Sequence, residues 1–248
     1  LHLSIRRQRQ MCIRDRINSL DPDIIIVVAY GIILPSQLLD IPKFGCINIH
    51  VSLLPRWRGA APIEHALLAG DVKTGISVIK ISPKLDAGDI LHQESLNISA
   101  DMYSDELTVA LTNLGKQTML RVLPKIFENK TLSKKQDLNK VTYAKKFTSV
   151  DRKINFNNST NEVYNHIRAH GPKPGSWFVY RGERIKILRA VKKKDKGQQS
   201  TILNNKFMLA CSDGSILPTI IQREGKKAVE VKDFIQGFAF TVNDKINE

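Results

Sequence analysis

CINIHVSLLPRWRG, residues 46–59, sets Asn48 and His50 two apart at the end of an apolar run, then breaks into a proline-stiffened, basic loop that carries a tryptophan. In a strand, residues i and i+2 face the same way. Asn48 and His50 therefore point together, with Ile47 and Ile49 on the opposite face. A polar pair sharing one face of an otherwise buried strand needs a chemical explanation.

The elements around this stretch define the fold class. Upstream, DIIIVVAY (23–30) is a continuous β-branched run, the pattern of a parallel strand covered on both faces. Gly31 and Pro35 close it, and SQLLDIP supplies a short helical piece. Downstream, APIEHALLAG (61–70) spaces Ile63, Ala66 and Leu67 as a helix, with Gly70 as its stop. Residues 75–81 alternate as a strand and 90–98 form a weaker one. From Ser104 to Glu128 the positions of Leu107, Leu111, Leu114, Leu123 and Ile126 predict a long amphipathic helix capped by Ser104 or Asp105. This alternation is an α/β domain with a mostly parallel sheet, an incomplete Rossmann-like arrangement over residues 17–128.

Residues 129–150 read as a polar, lysine-rich linker. Beyond it the texture changes. Ser159 and Glu162 form a capping box that opens a short helix through Arg168. Strand pairs follow around Arg181-Gly182 and Asp213-Gly214, and Val231–Phe238 forms a closing helix. Residues 151–248 are thus predicted to be a small, OB-like β-barrel, with Trp177 in its core.

Composition narrows the classes. A chain of 248 residues, 42% hydrophobic and 25% charged, is an ordinary globular protein with room for two modest cores. No apolar run reaches the roughly 18 residues of a membrane span. Cys12, Cys46 and Cys211 lie far apart and form no CxxC pair, which argues against a disulfide framework or a zinc site and suits a reducing cytoplasm. No metal is expected. Residues 1–16, with five arginines and one acid, lack the apolar stretch of a signal peptide. They read either as a nucleic-acid-binding arm or as a foreign segment from gene assembly, and are set aside from the fold.

Charge divides the rest unevenly. Residues 17–120 hold 7 Lys and Arg against 11 Asp and Glu, a net of −4, whereas residues 121–248 hold 26 against 12, a net of +14. Such asymmetry points to a polyanion partner for the C-terminal half, or to a solvated lysine-rich surface.

Ligands of open parallel sheets bind at the carboxyl ends of strands. Asn48, His50 and the SLLP loop occupy one such end, and Leu85-Asp86-Ala87-Gly88-Asp89 follows the next strand. An amide, an imidazole and a carboxylate can then converge: Asn48 to donate to an oxyanion, His50 to move a proton, Asp86 to orient or charge the imidazole. That is equipment for acyl transfer to an amine. Each residue also has a plain structural role open to it, as a core histidine, a turn amide or a turn carboxylate. A Ser52–His50 nucleophile is the rival, disfavoured by rigid i, i+2 geometry and the lack of a GxSxG elbow.

The block INIHVSLLPRWRGAAPIEHALLAGD, followed by TGISVIKISPKLDAGDIL, closely resembles the methionyl-tRNA formyltransferases within the folate-dependent formyltransferase group. VVAYGIILP before it and VTYAKKF after it match the same family, and the resemblance runs from about residue 17 to the C-terminus. By that resemblance Asn48, His50 and Asp86 are the catalytic residues. Ser52, Leu53, Leu54 and Pro55 are the tetrahydrofolate-binding segment, and the backbone at 32–34 helps line the pterin pocket. The implied co-substrate is 10-formyltetrahydrofolate, and the implied acceptor is the α-amine of methionyl initiator tRNA. The barrel would grip tRNA phosphates through Lys192, Lys193, Lys194 and Lys196, with Arg58 a further tRNA contact. Such an enzyme would be a cytoplasmic or organellar-matrix monomer with no membrane partner.

Two departures accompany the resemblance. Val51 stands where the family usually has Gly or Ala. The family also begins with a strand, a glycine turn and further βα steps, so roughly 70 residues are expected to be missing at about 30 per βαβ unit. Two other functions therefore stay open: a catalytically inactive chain that binds RNA through its barrel, and a formyltransferase acting on a small amine or sugar nucleotide.

Overall fold

The computed structural model describes residues 13–32 and 34–247. Of the N-terminal segment, residues 1–12 lie outside the described residues, and residues 13–19 are helical (α1). The chain divides into two compact units that alternate along the sequence. One takes the residues up to Pro62, Lys73–Leu96 and Ala110–Lys145; the other takes Ile63–Val72, Asn97–Val109 and Lys146 onward.

In the first unit, β1 (Ile25–Val27), β2 (Cys46–His50), β4 (Lys73–Lys80) and β5 (Ile90–Asn97) form a four-stranded sheet in the order β1-β2-β4-β5. The sheet is mixed. β1 runs parallel to β2, with Ile25 opposite Cys46 and Val27 opposite Asn48. β2 runs antiparallel to β4, with Ile47 opposite Lys80 and His50 opposite Ser77. The run expected as a strand over 23–30 pairs only over three residues. Past Val27, positive φ at Ala29 (49°) and Gly31 (69°) turns the backbone out of the sheet. Val28 and Tyr30 are consequently 59% and 52% exposed. The short helix α2 (Ser36–Leu39) joins β1 to β2 and buries Leu38.

The segment read as a linker pairs within this unit. Lys134 bridges Ile90, and β6 (Tyr143–Ala144) lies parallel to β3 (Arg58–Gly59). The helix expected over 104–128 is α4 (Ser104–Phe127), burying Leu107, Leu111, Val122 and Ile126. Its cap differs from expectation. The Glu106 carboxylate accepts the Tyr103 N–H at 2.7 Å, so Tyr103 holds the cap position, while the Ser104 hydroxyl donates to the Gly171 carbonyl.

In the second unit, α3 (Pro62–Leu68) buries Ala66 and Leu67 completely and stops at Gly70 (φ 69°). The capping box at Ser159 and Glu162 opens α5 (Thr160–His170). β7 (Ser176–Tyr180) and β8 (Glu183–Lys193) form the expected hairpin, with left-handed Arg181 and Gly182 as its two-residue turn. β9 (Leu209–Ala210), β10 (Ser215–Arg223) and β11 (Ala228–Glu230) complete a five-stranded, barrel-like antiparallel sheet, and α6 (Val231–Gly237) follows. Register shifts between Pro218 and Ile221 bend β10.

Phe207, fully buried, is the hub of the core, within 4.9–6.5 Å of the rings of Phe178, Tyr180, Phe234, Phe238 and Phe240. Burial of each such ring contributes about 2–3 kcal/mol. Trp177 is not in this core. The alternation of β7 sends Ser176, Phe178 and Tyr180 inward, and leaves Trp177 half-buried beneath the Arg184 guanidinium, its indole N–H on the Ser149 carbonyl.

Candidate active site

A cavity of about 400 Å3 opens in the first unit beside the end of β2. Its wall is largely apolar, with Val27, Ile32, Leu34, Ile49, Ile79 and Ile81 among the lining residues. Asn48, His50 and Asp86 also line it, so the three residues singled out in the sequence meet at one place. The route that brings Asp86 there differs from the expected one. Because β4 is antiparallel to β2, its carboxyl end lies at the amino end of β2. Asp86 reaches His50 because the loop 81–89 folds back. Lys80 donates its N–H to the Asp89 carbonyl, and Gly88 presses so closely on Lys80 that a Cβ there would sit 1.6 Å from the Lys80 carbonyl oxygen. Only glycine fits at that approach.

The Asp86 carboxylate organises the polar corner. Oδ2 accepts the Gly59 N–H at 2.9 Å and lies 3.6 Å from His50 Nδ1, while Oδ1 faces Asn48 Nδ2 at 3.4 Å. Asp86 holds a left-handed backbone, φ 44°, uncommon outside glycine and a sign of constraint. His50 is 6% exposed, and its Nε2 lies 2.8 Å from the Trp57 carbonyl oxygen. A carbonyl can only accept, so the proton resides on Nε2 and Nδ1 is the nitrogen turned to Asp86. A second proton arriving at Nδ1 would meet a carboxylate.

Ser52, Leu53, Leu54 and Pro55 are not among the cavity-lining residues, whereas Ile32 and Leu34 are. The Ser52 hydroxyl donates to the Arg56 carbonyl at 2.6 Å, and Leu54 packs with Ile79 and Ile90. In this segment Ser52 and Leu54 are buried, and Leu53 and Pro55 are half-buried. Ser52 is fully buried and committed, which leaves no support for the nucleophile alternative. Cys46 and Cys211 are free and buried, and burial pushes their thiols up to about 11 and about 12, so neither is a reactive thiolate. Cys12 lies outside the described residues.

Arg58 is corrected as a nucleic-acid contact. It is 5% exposed, and its Nε and Nη2 both donate to Gln136 Oε1, at 2.9 and 2.7 Å. Lys192, Lys193, Lys194 and Lys196 are exposed, with Lys192 bonded to Asn161 Oδ1 at 2.8 Å. Sequence reading missed Gln136 because it stands in a polar segment that looked like linker. It also missed the Gly59 N–H and the Trp57 carbonyl, which are backbone groups with no side-chain signature. Among the described residues no group of His, Cys, Asp and Glu is placed to hold a metal ion, and no helix is long and apolar enough to cross a membrane.

An α/β unit with an amide, an imidazole and a carboxylate on one cavity, followed by a basic antiparallel barrel, defines the class. Residues 2–123 match the family described as formyl transferase, residues 146–239 match the formyl transferase C-terminal domain, and the chain belongs to this family. It is 39% identical to a methionyl-tRNA formyltransferase of Ehrlichia canis over 91% of this chain and 74% of that protein. A methionyl-tRNA formyltransferase of Parvibaculum lavamentivorans is 38% identical over 92% of this chain and 76% of its own length.

Solved structures of the same fold are more distant. HypX from Aquifex aeolicus, in complex with tetrahydrofolic acid, aligns with a TM-score of 0.69 at 16% identity, over 86% of this chain and 38% of that one. WlaRD, a sugar 3N-formyl transferase determined with dTDP and 5-N-formyl-THF, aligns at 0.65 and 19% identity, over 85% and 77%. A folate co-substrate follows from the family.

Proposed function

We propose that this protein transfers the formyl group of 10-formyltetrahydrofolate to the α-amine of methionyl initiator tRNA. The observation that carries the reading is the convergence of Asn48, His50 and Asp86 on one apolar cavity in a chain 37–40% identical to proteins named for that reaction. The cavity suits the donor: a largely apolar lining for a fused heteroaromatic ring, with Asn48, His50 and Asp86 together at one place on it where a formyl carbon can be presented.

The amine nitrogen attacks the formyl carbon and its oxygen becomes an oxyanion. Asn48 Nδ2 carries two hydrogens; one faces Asp86 and the other serves the oxyanion. His50 Nδ1 accepts the proton that the amine loses, and Asp86 stabilises the resulting imidazolium. When the carbon–nitrogen bond to the folate breaks, the electron pair stays on the folate nitrogen and the proton passes from His50 to it. The Trp57 carbonyl holds the ring in one orientation throughout. The basic C-terminal half supplies the counter-charge for tRNA phosphates through Lys192, Lys193, Lys194 and Lys196.

The sugar-nucleotide alternative draws on likeness to sugar formyltransferase structures at 19–22% identity, a level that carries the fold and not the acceptor. Parallel assays with 10-formyltetrahydrofolate and either methionyl initiator tRNA or a dTDP-amino sugar separate the two. Transfer to the charged tRNA alone is expected. Transfer to the amino sugar alone would reject the reading.

A further inference from the structure

We infer that Gln136, outside the cavity lining, is a positioning residue that sets the Asp86 carboxylate for the reaction proposed above. Gln136 is 9% exposed and every part of its amide is committed. Nε2 donates to the Asp86 and Gly88 carbonyls, each at 2.8 Å, and Oε1 accepts both Nε and Nη2 of Arg58. The orientation admits no flip, because a guanidinium only donates and a carbonyl only accepts.

The two segments joined by this amide are the two that place the carboxylate. One is the folded-back loop that carries Asp86. The other is β3, where Arg58 is followed by Gly59, whose N–H is bonded to Asp86 Oδ2 at 2.9 Å. Pairing with β6 holds the same strand from its other side, Arg58 opposite Tyr143 and Gly59 opposite Ala144. A Cβ at Gly59 (φ 121°) would lie 2.6 Å from the Ala144 carbonyl, so that strand can approach only as glycine. Gln136, 50 residues along the sequence from Asp86, thus ties a left-handed aspartate to its hydrogen-bond donor 27 residues before it. Without its two donors, loop residues 86–88 lose their anchor and Asp86 is free to leave Gly59 and His50.

The sharpest variant is Gln136→Glu. It keeps the size and strengthens the link to Arg58, but turns two donors into an acceptor facing two carbonyls. If Gln136 only filled space or held Arg58, this change would be harmless. Amide hydrogen exchange read by NMR decides the question without turnover. In Gln136→Glu, the protection of the Gly59 amide should fall by roughly 10- to 100-fold, the worth of a hydrogen bond to a charged acceptor, while Val78 in β4 keeps its protection. The ratio to the unsubstituted protein should recover as pH falls and the new carboxyl regains a proton to donate.

The kinetic arm rests on the proposed function: kcat for formyl transfer should drop roughly 100-fold, as expected for a misplaced catalytic group, with KM for 10-formyltetrahydrofolate changed far less. Unaltered Gly59 protection, or equal loss at Gly59 and Val78, would overturn the inference. If the unsubstituted protein transfers no formyl group, the proposed function fails and the exchange measurement still decides this one. Should the Gln136→Glu chain not fold, Gln136→Met, which lacks both donors and charge, is measured in its place.

Discussion

At the cavity, two of the three polar side chains are held by hydrogen bonds to backbone: Asp86, at φ 44°, on the Gly59 N–H, and His50 on the carbonyl of Trp57, itself at φ 64°, while Asn48 faces the Asp86 carboxylate. In the barrel, Phe207 is also left-handed, at φ 60°, but its surroundings are five aromatic rings. One region spends conformational strain on direction, the other spends apolar volume on cohesion. Hydrogen bonds fix where an atom points, whereas packing fixes only that space is filled. Substitutions in the first region should therefore remove function and spare the fold; those in the second should weaken the fold and spare the chemistry.

The largest expected break in stability is Phe207→Ala. Loss of the hub ring should cost about 3–5 kcal/mol, read as a lower urea midpoint for the second unit. Folate binding to the first unit should survive in conditions where both units stay folded. An unchanged midpoint would remove the aromatic hub from the account.

A smaller effect comes from polar groups trapped in the apolar region. His170 is 2% exposed, and its Nε2 is buried without a hydrogen-bond partner. Burial, followed by the neighbouring charges of His166 and Arg152, lowers its pKa to about 3; Asp151 opposes this and His65 adds to it. Its folded pKa lies below the ordinary 6.5, so the unfolded chain binds the proton first as pH falls. The stability His170 contributes is whole above about pH 6.5 and is lost progressively toward pH 3. His166, lowered mainly by burial, acts in the same direction. Denaturant midpoints measured from about pH 7 to about pH 4 should fall less in His170→Leu than in the unsubstituted protein, and equal slopes would contradict this.

The mildest prediction concerns exposed charge. Replacing Lys192, Lys193, Lys194 and Lys196 by Ala should weaken tRNA binding and flatten its salt dependence, by roughly 0.7–0.9 in the log–log slope for each phosphate no longer neutralised. Catalytic parameters at saturating tRNA should stay put. An unchanged slope would return the run to a solvated surface.

The same division explains what the sequence could tell. The barrel was readable nearly element by element, because capping boxes, Arg181-Gly182 and period-two alternation are local signals. Trp177 alone went to the wrong face; its ring suggested a core, but the alternation set by Phe178 and Tyr180 excluded it. At the cavity, Asn48 and His50 were legible from their spacing on β2. Asp86 was found at the right place on the assumption of a parallel neighbour, whereas β4 is antiparallel and the loop doubles back. Sheet order is a non-local property that no window of residues contains. Gln136 and the Gly59 N–H were invisible for the same reason: their partners lie 27 to 78 residues away.

The most direct test of the account is formyl transfer from 10-formyltetrahydrofolate to methionyl initiator tRNA by this chain, measured beside Asn48→Ala and His50→Ala, with uncharged tRNA as the blank. Removal of one oxyanion donor typically costs about 100-fold or more in rate. The account predicts transfer by the unsubstituted protein, and losses of at least that size in both variants, with tRNA affinity and denaturant midpoint close to unchanged. Transfer at undiminished rate in His50→Ala would contradict it.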